Sequence, residues 1–356
     1  LQAIVEQFRS QILAAAETKT PLHLRGGGSK DWYGNDAVGE LLDTRAYTGV
    51  VDYEPTELVI TARCGTPLAD IEALLAQHGQ MLAFEPPRFG AGSTIGGVVA
   101  SGLAGPRRAS AGGVRDFVLG AKLMDGKGDV LKFGGQVMKN VAGYDVSRLL
   151  AGSMGTLGLI LEVSLKVLPL PVCVATLRFE LSEIDALRRM NEWAGQPLPL
   201  SASCWHQGLL TLRLAGAEAA VTAALARFGA LGGARLGDEE AAAFWDSLRD
   251  QSHPYFNGGA LWRMALPSAA SAIVLKGEQL IEWGGAQRWL KVDTVDAAAG
   301  AQDIRRAVAA AGGHATLFRG GPRSGVFHPL APAVEKINQR LRLAFDPAGI
   351  FNPGRM

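Results

Sequence analysis

A chain of 356 residues, 48% apolar and 19% charged, is long enough for two or three domains and can bury a sizeable core, which excludes general disorder. Lys+Arg 35 against Asp+Glu 34 leaves a formal charge of +1, which excludes a broad electrostatic affinity for nucleic acid. Cys64, Cys173 and Cys204 are scattered and form no CxxC pair, so neither a zinc ribbon nor a Cys-ligated iron–sulfur cluster is built from this chain alone.

In chain order, Ile4, Val5, Phe8, Ile12 and Leu13 predict an amphipathic helix over 1–17. That segment lacks the basic start of a signal peptide, and no apolar run reaches the ~18–20 residues that cross a bilayer. The chain is therefore expected to be cytoplasmic, with a trimmed N-terminus because no initiator Met is present. Residues 21–25, 50–53 and 58–63 read as strands. Thr66 is the expected N-cap and Pro67 the first residue of a helix ending at Gly79. Residues 117–124 and 130–133 form an expected hairpin around Asp125-Gly126-Lys127-Gly128. Asp145 is the expected cap of a short helix through Leu150, and 157–167 an apolar strand that closes at Pro169-Leu170-Pro171. Beyond this boundary we expect strands at 174–181, 201–214 (two), 259–266, 272–276, 289–292 and 314–318. Helices are expected at 183–193, 218–231 and 302–311. This pattern suggests an α+β layer with helices on one face of a sheet. Residues 332–345 read as a last amphipathic helix.

Glycine is the compositional outlier: 45 residues, about 13%, against the usual ~7%. Three clusters carry the excess. Arg25-Gly26-Gly27-Gly28-Ser29-Lys30 follows a strand, and successive glycines let consecutive N–H groups turn inward around an anion. It is neither a Rossmann fingerprint nor a P-loop, since Asp31 stands where the former needs a third glycine and no Gly-Lys-Ser/Thr closes it. A plain flexible turn is the competing reading. The second cluster, 92–106, sets Ser93, Thr94 and Ser101 among Gly96, Gly97 and other small residues, suited to a large polar ligand along the backbone or to tight helix packing. The third runs from Lys139 through Tyr144 and Asp145 to Gly152, Ser153, Gly158 and Ile160.

Taken together, RGGGSK (25–30), STIGGVVASGLAGPRR (93–108), KNVAGYDVSRLLAGSMGTLGLI (139–160), LPLP (168–171) and the terminal FDPAGIFNPGRM (345–356) resemble the FAD-binding domain of the vanillyl-alcohol oxidase/p-cresol methylhydroxylase flavoproteins. The resemblance covers the N-terminal half and the last ~25 residues. Within the family the chain is most similar to the flavin subunits of bacterial glycolate-oxidising complexes. It implies an α+β fold: a two-subdomain FAD-binding domain over 1–170, an antiparallel-sheet α+β cap over 171–320 for substrate or subunit contact, and a segment 321–356 returning to the FAD domain. It also implies that Arg25, Gly26, Gly27, Gly28 and Ser29 cradle the FAD pyrophosphate. Thr94, Gly96, Gly97 and Ser101 would continue along the phosphates and ribityl chain, with Gly152, Ser153, Gly158 and Ile160 approaching the flavin and adenosine ends. Members with covalent FAD often carry a His directly after the glycine loop; Ser29 stands there, so FAD is expected to be non-covalent.

The implied reaction is oxidation of a small 2-hydroxy acid, glycolate to glyoxylate. Electrons would leave through a second flavin subunit and an iron–sulfur subunit of the same complex, and any inner-membrane association would run through those partners. The alternatives are a non-catalytic FAD-binding assembly or electron-relay subunit, and a free-standing FAD-dependent alcohol or hydroxy-acid dehydrogenase. The six histidines show no ligand spacing and no Glu-His pair, so no metal site is expected. Arg319, as a bidentate carboxylate holder, and His328, as a base, are the candidate catalytic residues, each weighed against a surface or structural role. Arg323 and His314 are weighed beside them, whereas Trp262-Arg263, Trp289 and Trp205-His206 read as core or interface.

Overall fold

The structure of the protein, a computed structural model, describes residues 1–135, 145–293 and 300–356. The chain divides into two units: Leu1–Leu103 with Gly112–Pro169 and Pro329–Met356, and Ala104–Ala111 with Leu170–His328.

In the first unit, helix α1 (Gln2–Thr18) buries Phe8, Ile12 and Ala15 at helical spacing. It stops at Lys19, whose left-handed backbone returns its N–H to the Ala15 carbonyl. Strand β1 (Leu22–Arg25) pairs in parallel with β2 (Glu40–Asp43), a strand whose Glu-Leu-Leu-Asp sequence carries too little β-branching to stand out. β3 (Val50–Glu54) and β4 (Val59–Arg63) lead into helix α2 (Leu68–Gln77), which buries Leu68, Ile71 and Leu75 at roughly 1.5–3 kcal/mol each. Pro67, not Thr66, is the N-cap of α2. The Thr66 hydroxyl instead donates to the Arg63 carbonyl at 2.7 Å and accepts from the Gly49 N–H at 2.9 Å, so it ties a preceding turn. β5 (Gln80–Met81) follows, and then helix α3 (Ile95–Ser101).

The hairpin of β6 (Val118–Met124) and β7 (Val130–Gly134) forms as expected, because Asp125 Oδ1 accepts from the N–H groups of Lys127 and Asp129 at 2.9 Å and Gly128 supplies a positive φ. β8 (Leu159–Lys166) is buried along nearly its whole length, since it is the central strand of an antiparallel five-stranded sheet, β3-β4-β8-β6-β7. β9 (Leu168–Pro169) pairs with β5. Asp145 does not cap the turn Ser147–Leu150, which Val146 precedes; it accepts from Ser147 Oγ at 2.9 Å and pairs with Arg148 at 2.7 Å. The motif residues Lys139 to Tyr144 lie outside the described residues. The C-terminal helix, Pro332–Phe345, closes this unit with the tail behind it.

The second unit is an eight-stranded antiparallel sheet. Its strands are β10 (Cys173–Glu180), β11 (Leu200–His206), β12 (Leu209–Gly216), β13 (Ala234–Arg235), β14 (Ala260–Ala265), β15 (Glu278–Glu282), β16 (Gln287–Val292) and β17 (His314–Arg319). They are ordered β13-β10-β12-β11-β15-β16-β14-β17. Helices α4 (Glu183–Ala194) and α5 (Glu218–Ala230) pack Met190, Trp193 and Phe228 against Phe179, Leu210 and Ile281. A later helix, Ala301–Ala310, packs Ile304 and Val308 against Trp262, Leu290 and Leu317. The strand register puts both clusters on one face of the sheet.

The other face is not bare. A helix over Asp238–Arg249, which begins on Gly237 and has no side-chain cap to announce it, lies there with Trp245 Nε1 bonded to Thr176 Oγ1 at 2.9 Å. Residues 272–276 are not a strand. Arg288, fully buried, donates to the carbonyls of Ser271 at 2.7 Å and of Ala270, and Gln279 Nε2 donates to that of Ile273 at 3.0 Å. These side chains take the place of a strand neighbour, and pairing starts only at Glu278. The segment Ala104–Ala111 belongs to this unit through Trp283 Nε1, which donates to the Gly105 carbonyl at 3.0 Å, and the Arg108 guanidinium stacked 4.8 Å from the Trp283 ring centre. Residues 321–328 also belong to it.

Candidate functional site

The candidate site is a cleft in the first unit where β1 runs out into Gly26–Ser29. A side chain on Gly27 would overlap the Gly92 carbonyl oxygen, and one on Gly26 would overlap Thr94 Oγ1. Gly28 has φ +73°, in the left-handed region. The turn is therefore drawn close to the second glycine cluster in a way no other residue type permits. Among the described residues the backbone N–H groups of Gly27, Gly28 and Ser29 donate to nothing, so the turn presents consecutive donors to the cleft.

Across from it stands α3. Thr94 is its N-cap, its Oγ1 3.4 Å from the Gly97 N–H. Gly97, Ala100 and Ser101 line the cleft from the same helix face. Gly102 ends α3 in the left-handed conformation, where a side chain would come 2.8 Å from the Gly152 nitrogen. The Gly152 and Met154 N–H groups bond back to the Val99 and Ala100 carbonyls at 2.9 and 2.8 Å, which brings Met154 to the cleft wall.

The cleft encloses about 90 Å³, well under the ~300–1,000 Å³ of a complete small-molecule site, so it has room for the middle of a dinucleotide and not for the whole. Arg25, Lys30 and Arg355 line it against a single carboxylate, Asp31. Arg25 Nε donates to Asp31 Oδ2 at 2.6 Å, and Lys30 Nζ to Ser93 Oγ at 2.9 Å. His23 also lines it. Burial pushes its pKa down, Asp31 opposes this, and Arg355 and Arg25 add to the lowering, so the imidazole is neutral near pH 7. Bare backbone donors, excluded side chains and an excess of cations fit a diphosphate.

The structure brings Arg25, Gly26, Gly27, Gly28, Ser29, Thr94, Gly97 and Ser101 into this cleft. Gly96 turns away from it: its N–H bonds the Cys64 carbonyl at 2.9 Å, and a side chain would press on Cys64 Cβ at 2.6 Å. Gly152, Ser153, Gly158 and Ile160 do not line it either. Gly158 clears the Met124 carbonyl, 2.8 Å from where its Cβ would lie, and Ile160 is buried opposite Leu123 in the sheet. Sequence reasoning missed His23, Lys30, Met154, Asn352 and Arg355 as cleft residues; the terminal Phe-Asn-Pro-Gly-Arg-Met marked the tail without assigning a role to any of its side chains.

Arg319 and His328 are both in the second unit and engage different partners. Arg319 Nη2 donates to Gln251 Oε1. The Nδ1 atom of His328 accepts from the Ala315 N–H at 3.4 Å, and burial, with a contribution from Arg305, holds its pKa low. His206, read as a core or interface residue, bonds Glu278 Oε1 at 2.8 Å, and the other oxygen of that carboxylate pairs with Lys291 at 2.7 Å. Among the described residues no three His, Cys, Asp or Glu side chains gather closely enough to hold a metal ion, and no helix is long and apolar enough to cross a membrane.

Comparison with known proteins agrees with this geometry. The FAD binding domain family matches residues 4–134. Over its full length the chain is 49% identical to the glycolate oxidase subunit GlcE of Escherichia coli (strain K12), covering 97% of that protein. Half of the chain is 31% identical to the glycolate oxidase subunit GlcD of Bacillus subtilis (strain 168), covering 38% of it. A solved structure of alkyldihydroxyacetonephosphate synthase superposes over 98% of this chain and 74% of its own, with TM-score 0.68 at 15% identity, a likeness of fold.

Proposed function

We propose a function from one premise: the chain belongs to the FAD-binding flavoprotein family that includes the glycolate oxidase subunit GlcE. It acts as an FAD-carrying subunit of an enzyme complex that oxidises glycolate, or a closely related 2-hydroxy acid, to the 2-oxo acid. The observation that carries this reading is the 49% identity maintained across the whole chain, both units included, together with a cleft whose glycines leave space only for backbone and ligand. When bound, FAD supplies the two-electron acceptor for the alcohol carbon.

The residues of this chain do the holding. The N–H groups of Gly27, Gly28 and Ser29 would hold the diphosphate, Arg25 and Lys30 would offset its charge, and Gly97 and Ser101 would leave room for it along α3. Ser29, with no His or Cys in that position, leaves the cofactor non-covalent. The partners we propose are a second flavin subunit and an iron–sulfur subunit, which this chain, with three scattered cysteines, does not replace.

The test is co-purification of the full chain with its native partners, followed by glycolate-dependent reduction of a dye acceptor by the assembly and by the chain alone. The reading predicts dye reduction by the assembly and a stably bound, unreduced flavin in the isolated chain. An isolated chain whose flavin is bleached by glycolate at the turnover rate would replace the subunit reading with a free-standing dehydrogenase.

A further inference from the structure

The last seven residues are built into the cleft from outside it. The backbone of Ile350–Asn352 runs parallel to β1: Leu22 N–H donates to the Ile350 carbonyl at 2.7 Å and Asn352 N–H to the Leu22 carbonyl at 2.9 Å. The next rung would need the Asn352 carbonyl, but the chain leaves the ladder here, with Asn352 at φ +41° and Pro353 unable to donate. The Asn352 side chain takes over. Its Oδ1 accepts from the Leu24 N–H at 2.9 Å, and its Nδ2 donates to the Met154 carbonyl at 2.7 Å.

Room for that amide comes from Gly155, where a side chain would sit 2.6 Å from Asn352 Nδ2. Three residues after Asn352, Arg355 donates to the carbonyls of Asp31, at 3.0 Å, and of Asn35, while Asn35 returns its N–H to the Arg355 carbonyl at 3.2 Å and its side-chain Nδ2 to that of Gly354 at 2.9 Å. Asn352 and Arg355 are both buried and both line the cleft. One short segment thus fixes three walls: β1, the loop through Met154, and the 31–35 turn that follows the glycines.

We infer that Asn352–Arg355 is a positioning clasp for the bound diphosphate, with the Asn352 amide holding β1 against the Met154 loop at the spacing the ligand needs and Arg355 setting the charge and height of the turn after Ser29. The inference rests on the FAD reading above and adds to it that cofactor affinity is controlled by a segment more than 300 residues away in sequence.

The test uses the full-length chain freed of flavin and titrated with FAD by flavin fluorescence, with ADP as a competing diphosphate. Asn352→Gly removes the amide while keeping the positive φ, and Arg355→Met removes the charge at similar length. Each should weaken FAD and ADP together by about tenfold or more, and Arg355→Lys, which restores the charge but not the two-carbonyl fork, should recover only part of the affinity.

Arg355→Met should also move the pH midpoint of FAD binding upward, because Arg355 is one of the groups, with Arg25 and against Asp31, that bear on the neutral His23. A purely structural tail would lower the melting temperature and leave FAD affinity and its pH profile unchanged, which overturns the inference. A wild-type chain that takes up no FAD overturns the FAD reading itself. A wild type that binds FAD with both variants binding equally well overturns only the clasp.

Discussion

The two units use opposite means to make a defined interior. Around the cleft of the first, specificity comes in large part from what is missing: Gly26, Gly27 and Gly97 have no side chain, and the turn 27–29 presents bare main-chain donors. In the sheet of the second, large polar side chains are buried outright. Arg288 has no exposed surface and is satisfied by the carbonyls of Ala270, Ser271 and Gly285, and the Arg213 guanidinium lies 5.0 Å from the Trp245 ring centre. Substitutions in the first unit should therefore act on ligand affinity with little change in stability, and those in the second the reverse.

Gly97→Val is the strongest way to break that separation. Its Cβ would meet only Thr94 Oγ1, at an ordinary 3.4 Å, so the added methyls enter the cleft rather than the protein. FAD affinity should fall by about a hundredfold or more while the urea midpoint of the flavin-free chain stays close to wild type, since valine is a better helix residue than glycine. Gly27→Val should also lose the flavin, but with loss of stability, because its side chain would overlap the Gly92 carbonyl.

In the second unit, Arg288→Met removes the donor to the buried Gly285 carbonyl and to those of Ala270 and Ser271 and should cost about 1–3 kcal/mol in urea unfolding, with FAD affinity unchanged. A parallel loss of FAD affinity would contradict this separation of effects.

Acid should act on both units. His23, His253, His314 and His328 all have pKa values held below 6.5, chiefly by burial. The unfolded chain then binds more protons than the folded one as pH drops through 6.5, so stability is full above that value and is lost toward the depressed folded pKa values. Melting temperature measured from pH 7.5 to 5.5 should fall, and bound FAD should offset part of the fall, since a diphosphate beside His23 favours its protonated form. His23→Asn should remove that offset alone. The smallest effect belongs to Asp31→Asn. The Arg25–Asp31 pair is more than a third exposed on each side, so unfolding free energy should change by less than about 1 kcal/mol.

Much of this was legible in the sequence, and for particular reasons. β-hairpin chemistry at Asp125–Gly128, the helical spacing of Phe8 and Ile12, and the apolar run of β8 are local signals, and each produced the expected element. The glycine clusters located the cleft, yet glycine alone does not say which way its bare face points. Gly97 opens onto the cleft, while Gly96, its neighbour on the same helix, clears Cys64. What stayed hidden depends on distant partners. The segment 272–276 has strand composition, but Gln279 takes the Ile273 carbonyl and Arg288 takes those of Ala270 and Ser271 just before it. Asn352 and Arg355 gain their role only through bonds spanning most of the chain.

The most direct measurement is flavin content. The full chain, purified with FAD in the buffer and then freed of unbound cofactor, is boiled and the supernatant analysed for adenine-containing flavin. We predict yellow protein that releases FAD in proportion to chain, with the Gly97→Val chain folded and colourless. Colourless wild-type protein that neither releases nor takes up FAD would contradict the cradle formed by Gly26–Ser29 and α3.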